Sequence, residues 1–142
     1  MKLVKHLLDT KGRYIISITP DASVFDAIRL MADRSVGSLL VMQDDKLLGI
    51  VTERDYARKV IIKGRSSKST IVSDIMTTDL VTTSADQTVN QCMGLMTDRR
   101  IRHLPVIEDT KVVGLISIGD IVQAVIADQQ EEIAHLEQYI TS

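Results

Sequence analysis

The sequence predicts an α/β (α+β) fold of two tandem β-α-β-β-α repeats with pseudo-two-fold symmetry, followed by a C-terminal helical extension. Two observations predict this fold. The second half of the chain repeats the first at a constant offset of 65 positions, and within each half a helical apolar pattern is followed by two short apolar runs. Because a small mixed unit can bury its apolar face against a copy of itself, we expect related clefts at the seam between the copies.

The repeat needs no gap over the matching stretch, and it sets the predicted domain boundaries. The paired positions include Leu30-Met31 with Leu95-Met96, Asp33-Arg34 with Asp98-Arg99, Gly49 with Gly114, and Asp55 with Asp120. We therefore predict a first repeat with its N-terminal segment over 1–63, a linker over 64–73, a second repeat over 74–127 and a C-terminal helix over 128–142.

Each repeat is predicted to contain the same elements in the same order. An extended segment comes first, then a helix with a hydroxyl residue at its N-cap, then a β-hairpin and a final helix. Pro105 predicts that its strand begins at this residue or has an edge near it. The segments concerned are 14–18 and 79–83 for the opening strands, Ser23 and Thr88 for the caps, 39–51 and 104–116 for the hairpins, and Thr52 and Ser117 for the starts of the final helices.

Two further stretches lie outside the repeated pattern. Residues 63–70 are small, polar and basic, which is typical of a flexible connection. Near the C-terminus, Ile126, Ile133 and Ile140 are seven residues apart, which gives the last helix a partial apolar seam. Two heptads do not establish a coiled coil, so packing of this helix on its own domain is an equal alternative.

Composition excludes several classes of protein. The chain has 142 residues, of which 44% are hydrophobic, and this is enough for one ordinary core. A net charge of -2 makes nucleic acid an improbable partner, since nucleic-acid binding selects a basic surface. No apolar run approaches the ~20 residues of a membrane span, and we expect a cytoplasmic protein. The single cysteine, Cys92, falls within a helical apolar pattern and is interpreted as a core residue.

One local pattern occurs twice, over residues 49–55 and 114–120. In each copy a glycine ends a strand, and a hydroxyl residue precedes an aspartate by three positions at the start of a helix. This spacing is explained by helix capping, with Thr52 and Ser117 as N-caps and Asp55 and Asp120 completing the capping boxes. The same geometry suits a nucleotide, because a helix N-terminus attracts phosphate and a carboxylate accepts hydrogen bonds from a ribose diol.

These features together closely resemble the CBS domain, named for cystathionine beta-synthase. The resemblance rests on the duplicated unit, on the glycine–hydroxyl–aspartate pattern, and on Arg-His-Leu-Pro-Val at residues 102–106. It covers about residues 14–127, and the chain looks like a stand-alone pair of CBS domains, called a Bateman module. In that family, ligands that contain adenosine lie in two clefts between the repeats.

The resemblance implies two sets of site residues. In the first cleft, Asp55 would bind the ribose and Thr52 and Arg54 would face phosphate. In the second, Asp120 would bind the ribose, with Ser117 and Gly119 near phosphate. The residues expected around the adenine are Leu80, Val81, Ile101, Arg102 and His103 in the first cleft, and Ile15, Ile16, Val36, Gly37 and Ser38 in the second.

The two clefts differ in predicted charge. Gly119 stands in the place of Arg54, and Gln123 stands in the place of Arg58. We therefore expect the Asp55 cleft to have more positive charge for phosphate, including Arg58. The alternative is that Arg54, Arg58 and Arg102 are solvated surface residues, and for Arg58 the two explanations are equal. Arg102 and His103 lie near the seam and are expected to reach a phosphate in either cleft, with a hydrogen bond within the fold as the alternative for His103.

The predicted function is a regulatory module that senses an adenine nucleotide or a related adenosyl compound such as AMP, ADP, ATP or NAD. AMP and NAD are favoured because the clefts have arginine but no acidic cluster for a magnesium–polyphosphate complex or a sulfonium. Histidines and Cys92 show no metal-ligand or nucleophile spacing, so we predict neither an enzyme nor a catalytic cofactor.

The expected partners are the adenosyl ligand, a second copy of the chain and an unidentified regulated protein. The homodimer would pack the helices of four repeats into a flat disc. Two alternatives stay open at this point. One is a protein or nucleic-acid interaction module with vestigial clefts, and the other is a sensor of S-adenosylmethionine.

Overall fold

The structure is a computed structural model that describes residues 2–141, and it confirms the mixed α/β class, the tandem repeats and the C-terminal helix. Met1 and Ser142, the ends of the predicted first repeat and C-terminal helix, lie outside the described residues. The α-helices are α1 (Val4–Lys11), α2 (Val24–Arg34), α3 (Glu53–Tyr56), α4 (Val89–Arg99) and α5 (Ile118–Thr141). The strands are β1 (Ser17–Ile18), β2 (Ser38–Gln43), β3 (Lys46–Thr52), β4 (His103–Glu108) and β5 (Lys111–Ser117).

The chain groups into two compact units. The first-repeat unit comprises Ile15–Val81 and contains the sheet β1-β2-β3. The second-repeat unit combines the chain up to Tyr14 with the chain from Thr82 onward, and it contains the hairpin β4-β5. Helix α1 therefore belongs to the same unit as the second hairpin. The repeat boundaries predicted from the sequence stay predictions.

Both predicted hairpins are confirmed. Strands β2 and β3 are antiparallel, and so are β4 and β5, each pair with a register shift at the equivalent position. Each turn has two central residues with positive φ: Asp44 at 52° and Asp45 at 64°, and Asp109 at 50° and Thr110 at 67°. This is the backbone of a type I′ turn, whose twist matches that of paired strands.

The predicted N-caps of the two central helices are also confirmed. Ser23 Oγ accepts a hydrogen bond from the Asp26 main-chain N–H at 3.1 Å. Thr88 and Gln91 form a complete capping box, with distances of 2.9 and 3.0 Å for the two reciprocal bonds. These bonds satisfy N–H groups that have no partner within the helix, and so they fix where each helix begins.

The opening strands differ from the prediction. The first is only Ser17–Ile18, supported by the Leu40 N–H, which donates to the Ile16 carbonyl at 3.2 Å. The second, expected over 79–83, is not a strand; Thr83 alone forms a parallel bridge, to Val106. Pro105 explains the difference, because it stands in the place of Leu40 and its nitrogen has no hydrogen to donate.

Strand β4 runs through Pro105 and begins at His103, so the proline does not start the strand, and the alternative expectation of an edge near it is confirmed. The Pro105 carbonyl accepts a hydrogen bond from the Thr83 N–H at 3.0 Å. In a strand the N and O atoms of one residue face the same side, and the Pro105 nitrogen therefore faces away from β5. The proline is tolerated because this is the side of the hairpin that lacks a full partner strand.

Residues 63–70, interpreted from the sequence as a flexible connection, form main-chain hydrogen bonds to the start of α2, and their role as a linker stays a prediction. The Thr70 carbonyl accepts a hydrogen bond from the Val24 N–H at 2.8 Å, and the Ser67 carbonyl accepts one from the Phe25 N–H at 2.9 Å. Thr70 is buried, as is Val72 just beyond it. Small polar residues have the composition of a linker, but here their main-chain carbonyls satisfy the first N–H groups of α2.

The two final helices have different lengths. Helix α3 has four residues and continues as a π-helical turn over Ala57–Ile61. Helix α5 has 24 residues and runs without a break from Ile118 to Thr141, through the described part of the predicted C-terminal extension. Beyond Ala124 its apolar side chains are largely exposed, including Ile126, Ile133 and Ile140.

Each unit has its own apolar core. In the first-repeat unit the buried residues come from α2, β2, β3, the π-helical turn over Ala57–Ile61 and the segment near Val72. Met31 and Met96 are both 2% exposed and fill the two cores. Cys92 is fully buried and lies 3.3 Å from Thr83 Oγ1; burial raises the pKa of its thiol, which suits a structural cysteine.

Gly49 is required because main chain approaches it closely. Ile50 exchanges two main-chain hydrogen bonds with Thr77, at 3.0 and 2.8 Å, and a Cβ atom at Gly49 would lie 2.7 Å from the Thr77 carbonyl oxygen. Gly49→Ala is expected to lower the free energy of unfolding by roughly 1–3 kcal/mol, since a backbone atom must shift. Urea denaturation of purified protein measures this change.

Gly94→Ala is the matched control for this substitution. Gly94 lies within α4, and a Cβ atom there would meet no atom within 4 Å. The control is expected to stabilise the protein by about 0.5–1 kcal/mol, because alanine favours the helix. Equal effects of the two substitutions would contradict the close-approach argument.

Candidate ligand-binding site

The candidate site residues are positioned where a hairpin strand passes into the final helix of each repeat. Thr52 ends β3 and caps α3, and Ser117 ends β5 and precedes α5. Their aspartates, Asp55 and Asp120, lie in the first turn of the helix that follows. A hydroxyl, a carboxylate and a helix N-terminus therefore meet once in each unit.

Asp55 is held by a complete capping box. Its Oδ2 accepts hydrogen bonds from the Thr52 main-chain N–H at 3.0 Å and from Thr52 Oγ1 at 3.1 Å, while the Asp55 N–H donates to Thr52 Oγ1 at 3.1 Å. The predicted capping role of this pair is confirmed.

Lys59 occupies the other oxygen of Asp55. Its Nζ lies 3.1 Å from Asp55 Oδ1 and donates a hydrogen bond of 2.8 Å to the Ile75 carbonyl. The Asp55 side chain is only 12% exposed. Both oxygens of this carboxylate are thus engaged by residues of its own unit.

The structure brings the start of the first hairpin next to Thr52. Ser38 is paired with Thr52 across the two strands, and the Glu53 N–H donates to the Gly37 carbonyl at 3.1 Å. Val36, Gly37 and Ser38, which were predicted for the second cleft, therefore lie beside the Thr52–Asp55 motif within their own unit. Arg54 and Arg58 are exposed on this helix, whereas Ile15, Ile16, Leu80 and Val81 are half-buried near the ends of the unit.

Asp120 is held in a related but more open way. Its Oδ2 accepts a hydrogen bond from the Ser117 N–H at 2.8 Å, and the Asp120 N–H donates to Ser117 Oγ at 3.2 Å. The second predicted capping box is therefore confirmed. Oδ1 of Asp120 accepts no hydrogen bond from any residue between 2 and 141, and the side chain is 19% exposed.

Lys11 supplies a cation to this second carboxylate from outside the repeat. Its Nζ lies 2.6 Å from Asp120 Oδ2 and donates a hydrogen bond of 2.7 Å to the Leu115 carbonyl. Lys11 is the last residue of α1. The N-terminal helix therefore contributes directly to the Asp120 motif.

Arg102 and His103 lie at the same junction. His103 is paired with Ser117 across β4 and β5, and the Ile118 N–H donates to the Arg102 carbonyl at 2.9 Å. Burial lowers the pKa of His103, and the positive charge of Lys11 lowers it further, against an opposing effect of Asp120. A neutral imidazole beside Ser117 retains one N–H donor for a ligand.

The sequence analysis did not foresee a cation beside Asp120, and the comparison of charge between the two clefts stays a prediction. Gly119 and Gln123 do replace Arg54 and Arg58, and Gly119 is exposed in the first turn of α5. Lys11 nevertheless gives this carboxylate its own cation. The assignment of each aspartate to base-lining residues of the opposite repeat, including half-buried Ile101, stays a prediction.

The lysines were missed by the sequence analysis for different reasons. Lys59 stands four residues after Asp55 in a helix, a spacing that favours an ion pair, so a signal was present. Lys11 is 109 residues from Asp120 in sequence, and no local pattern links the two. Helix packing alone brings them together.

Within the described part of the chain, no group of three or more histidine, cysteine, aspartate or glutamate side chains is arranged to hold a metal ion. None of the helices in residues 2–141 has both the length and the apolar character that crossing a bilayer requires.

Comparison with known proteins identifies the family. Two hairpin–helix junctions of the same design define a tandem-repeat α/β protein with two related candidate sites. The sequence model of the CBS domain matches residues 6–62 and 72–127. The chain belongs to the CBS domain family, which confirms the resemblance seen in the sequence.

Several relatives share this pair of domains. The chain is 49% identical over 127 residues to the CBS domain-containing protein CBSX3, mitochondrial, of Arabidopsis thaliana, and the match covers 86% of this chain and 62% of that protein's length. A putative signal-transduction protein with CBS domains from Burkholderia ambifaria has a TM-score of 0.87 and 50% identity, covering 90% of this chain and 96% of that one.

A third relative was solved with ligands. The CBS domain pair of protein MJ0100, in complex with 5′-methylthioadenosine and S-adenosyl-L-methionine, has a TM-score of 0.80 and 25% identity, covering 90% of this chain and 98% of that one. The fold is thus shared with a domain pair whose ligands both contain adenosine.

The lowered pKa of His103 predicts a pH-dependent stability. Below its ordinary pKa of about 6.5, the unfolded chain binds a proton at this position before the folded chain does. The stability contributed by neutral His103 is therefore fully present above about pH 6.5 and is lost as the pH falls through the lower pKa of the folded state. His103→Gln is expected to flatten this part of the stability profile, measured by urea melts between pH 5 and 7.5.

His135→Gln is the matched comparison, because His135 lies on an exposed stretch of α5. If both variants lose the same amount of the pH dependence of the free energy of unfolding, this pH dependence does not come from His103.

Proposed function

We propose that the chain is a regulatory module that binds an adenine nucleotide or related adenosyl ligand, such as AMP, ADP, ATP or NAD. The observation that carries the proposal is the Asp120 carboxylate. It is fixed at the N-terminus of a 24-residue helix, and its Oδ1 has no hydrogen-bond partner within the described residues. An oriented carboxylate oxygen with free acceptor capacity suits a ribose diol.

The groups around Asp120 suit the rest of a nucleotide. A phosphate next to the ribose would meet the positive end of the helix dipole, the Ser117 hydroxyl and the Gly119 main chain. Arg102 and His103 follow Ile101 in the loop and strand beside Ser117. In this proposal the apolar Ile15 and Ile16, with Val36, Gly37 and Ser38, surround the adenine.

The Asp55 motif is proposed as a second, related site. Thr52 and the helix start take the phosphate, together with exposed Arg54 and Arg58. Leu80 and Val81 would pack against the base, with residues 101–103. Asp55 has both oxygens engaged, so a ligand here must displace Lys59 or share its bond.

The ligands of the MJ0100 domain pair support the adenosyl part of the proposal and favour one alternative ligand. Both of those compounds contain adenosine. S-adenosylmethionine is therefore the second candidate ligand, and the same aspartates would bind its ribose.

We propose that the chain regulates a partner by binding a ligand and not by catalysing a reaction. Ligand binding to one conformation shifts the population toward it, and a protein partner then detects the change. We propose no enzymatic activity and no catalytic cofactor, because Asp55 and Asp120 are explained by helix capping and by binding of a ribose, and neither role needs a general base. The identity of the regulated partner and a cytoplasmic location are further parts of the proposal, and the Arabidopsis relative is a mitochondrial protein by its name.

Aspartate variants test the proposed site. Asp120→Ala is expected to cost mainly affinity, roughly 1.5–3 kcal/mol for each lost charge-assisted hydrogen bond. Asp55→Ala is expected to cost more stability, since it removes bonds to Thr52 and Lys59 as well as a cap worth about 1 kcal/mol. Isothermal titration with AMP, ADP, ATP, NAD and S-adenosylmethionine measures affinity, and urea melts of the ligand-free variants measure stability.

GMP is the control ligand, because it keeps the ribose and phosphate and changes the base. At 100 times its dissociation constant a ligand adds ~2.7 kcal/mol to stability, which raises the melting temperature by several degrees. If millimolar adenosyl ligands change neither the melting curve nor the heat of titration, the chain is instead an interaction module with vestigial clefts. If the ligand affinity is unchanged in both aspartate variants, the two carboxylates act only as helix caps and do not bind the ligand.

A homodimer is the proposed assembly. Helix α5 exposes apolar side chains that a monomer would leave in water: Val122, Ile126, Ile133, Leu136, Tyr139 and Ile140. Static light scattering is expected to give about twice the chain mass of 15.8 kDa. Replacing Ile133 and Ile140 with serine is expected to lower the measured mass toward that of one chain. The surface controls Glu131→Gln and Glu137→Gln are expected to keep the mass of the dimer. A concentration-independent mass of one chain would exclude the dimer.

A further inference from the structure

Lys11 is the charged group most tightly built into the Asp120 motif that the proposed function has not used. Its side chain is 27% exposed, and its Nζ bridges Asp120 Oδ2 at 2.6 Å and the Leu115 carbonyl at 2.7 Å. An ammonium group has three N–H donors. Two of them are directed at these oxygens, and the third is available to a ligand.

The position of Lys11 is fixed by the packing of α1. Val4, Leu7 and Leu8 of this helix are buried. The fit of Leu8 against β5 is so close that a Cβ atom on Gly114 would lie 2.6 Å from Leu8 Cδ2. Lys11 is three residues further along the helix, on the same side as Leu8, and this places its ammonium beside Leu115.

The charge of Lys11 changes what the motif attracts. An aspartate alone at the ribose position would repel a neighbouring phosphate. With Lys11 paired to it, Asp120 is neutralised locally, and the charge of Arg102 and the helix N-terminus are left to attract an anion. The same balance disfavours a cation such as a sulfonium, and it leaves an uncharged adenosyl compound almost unaffected.

We infer that Lys11 makes the Asp120 site selective for adenosine with a 5′-phosphate over uncharged or cationic adenosyl compounds. This inference rests on the proposed nucleotide site and assigns its ligand charge. The N-terminal helix then acts as a specificity-determining element for a motif that lies in the second repeat.

Paired titrations of the full-length chain with AMP and adenosine test the inference. Lys11→Met is expected to weaken AMP binding at one class of site about tenfold, the loss of one charge-assisted hydrogen bond. Adenosine affinity is expected to stay within about twofold of wild type, and Lys11→Arg is expected to retain most of the AMP affinity. Raising the salt concentration should weaken AMP binding by the wild type more than by Lys11→Met.

Lys5→Met is the matched control, because Lys5 is an exposed lysine of the same helix. Lys11→Gln serves if Lys11→Met fails to fold in urea melts, since it keeps a hydrogen-bond donor without charge. If the wild type binds none of AMP, ADP, ATP, NAD, S-adenosylmethionine and adenosine, the proposed function fails; if it binds adenosine or S-adenosylmethionine but not AMP, the inferred selectivity is overturned. If both ligands bind but Lys11 variants weaken them equally, or weaken neither, the proposed function survives and the role of Lys11 in selectivity is overturned.

Discussion

The hydrogen bond from the last main-chain N–H of a strand to the carboxylate three residues later is the interaction on which each candidate site depends. At Thr52 and Ser117 this bond ends the strand, begins the helix and orients the carboxylate at once. It is local, so the sequence specifies it within four residues. A capping group of this kind is therefore already ordered before any ligand arrives.

The surroundings of the two carboxylates differ because their lysines come from different places. Lys59 is held in the helix that Asp55 begins, on a π-helical turn, whereas Lys11 arrives from a separate helix. A π-helical turn contains one more residue than an α-helical turn, and this changes the direction in which its side chains point. Two copies of one motif thus acquire different chemistry without any change in the motif itself.

Local patterns predicted the caps, the hairpins and the core helices, since each depends on neighbours within a few residues. Thr88 with Gln91 is one such case, and the turn at Asp44 is another. The Lys11–Asp120 contact was beyond reach because only tertiary packing brings residues 109 apart together. The absence of an opening strand in the second repeat could have been predicted. Pro105 stands where Leu40 donates its main-chain N–H to the first opening strand, and proline has no N–H to donate. For residues 63–70, composition gave no sign of the main-chain hydrogen bonds to the start of α2, because those bonds depend on donors that a neighbouring helix offers.

The unbroken length of α5 has a mechanical consequence. Its first turn contains Asp120 and its last residues are almost fully exposed, with Tyr139 at 84%. At 1.5 Å per residue the helix is about 36 Å long, so a tilt of only about 5° at its base moves its far end by roughly 3 Å. The length of α5 would therefore amplify any small change of orientation at the Asp120 turn into a larger displacement at the exposed end of the helix.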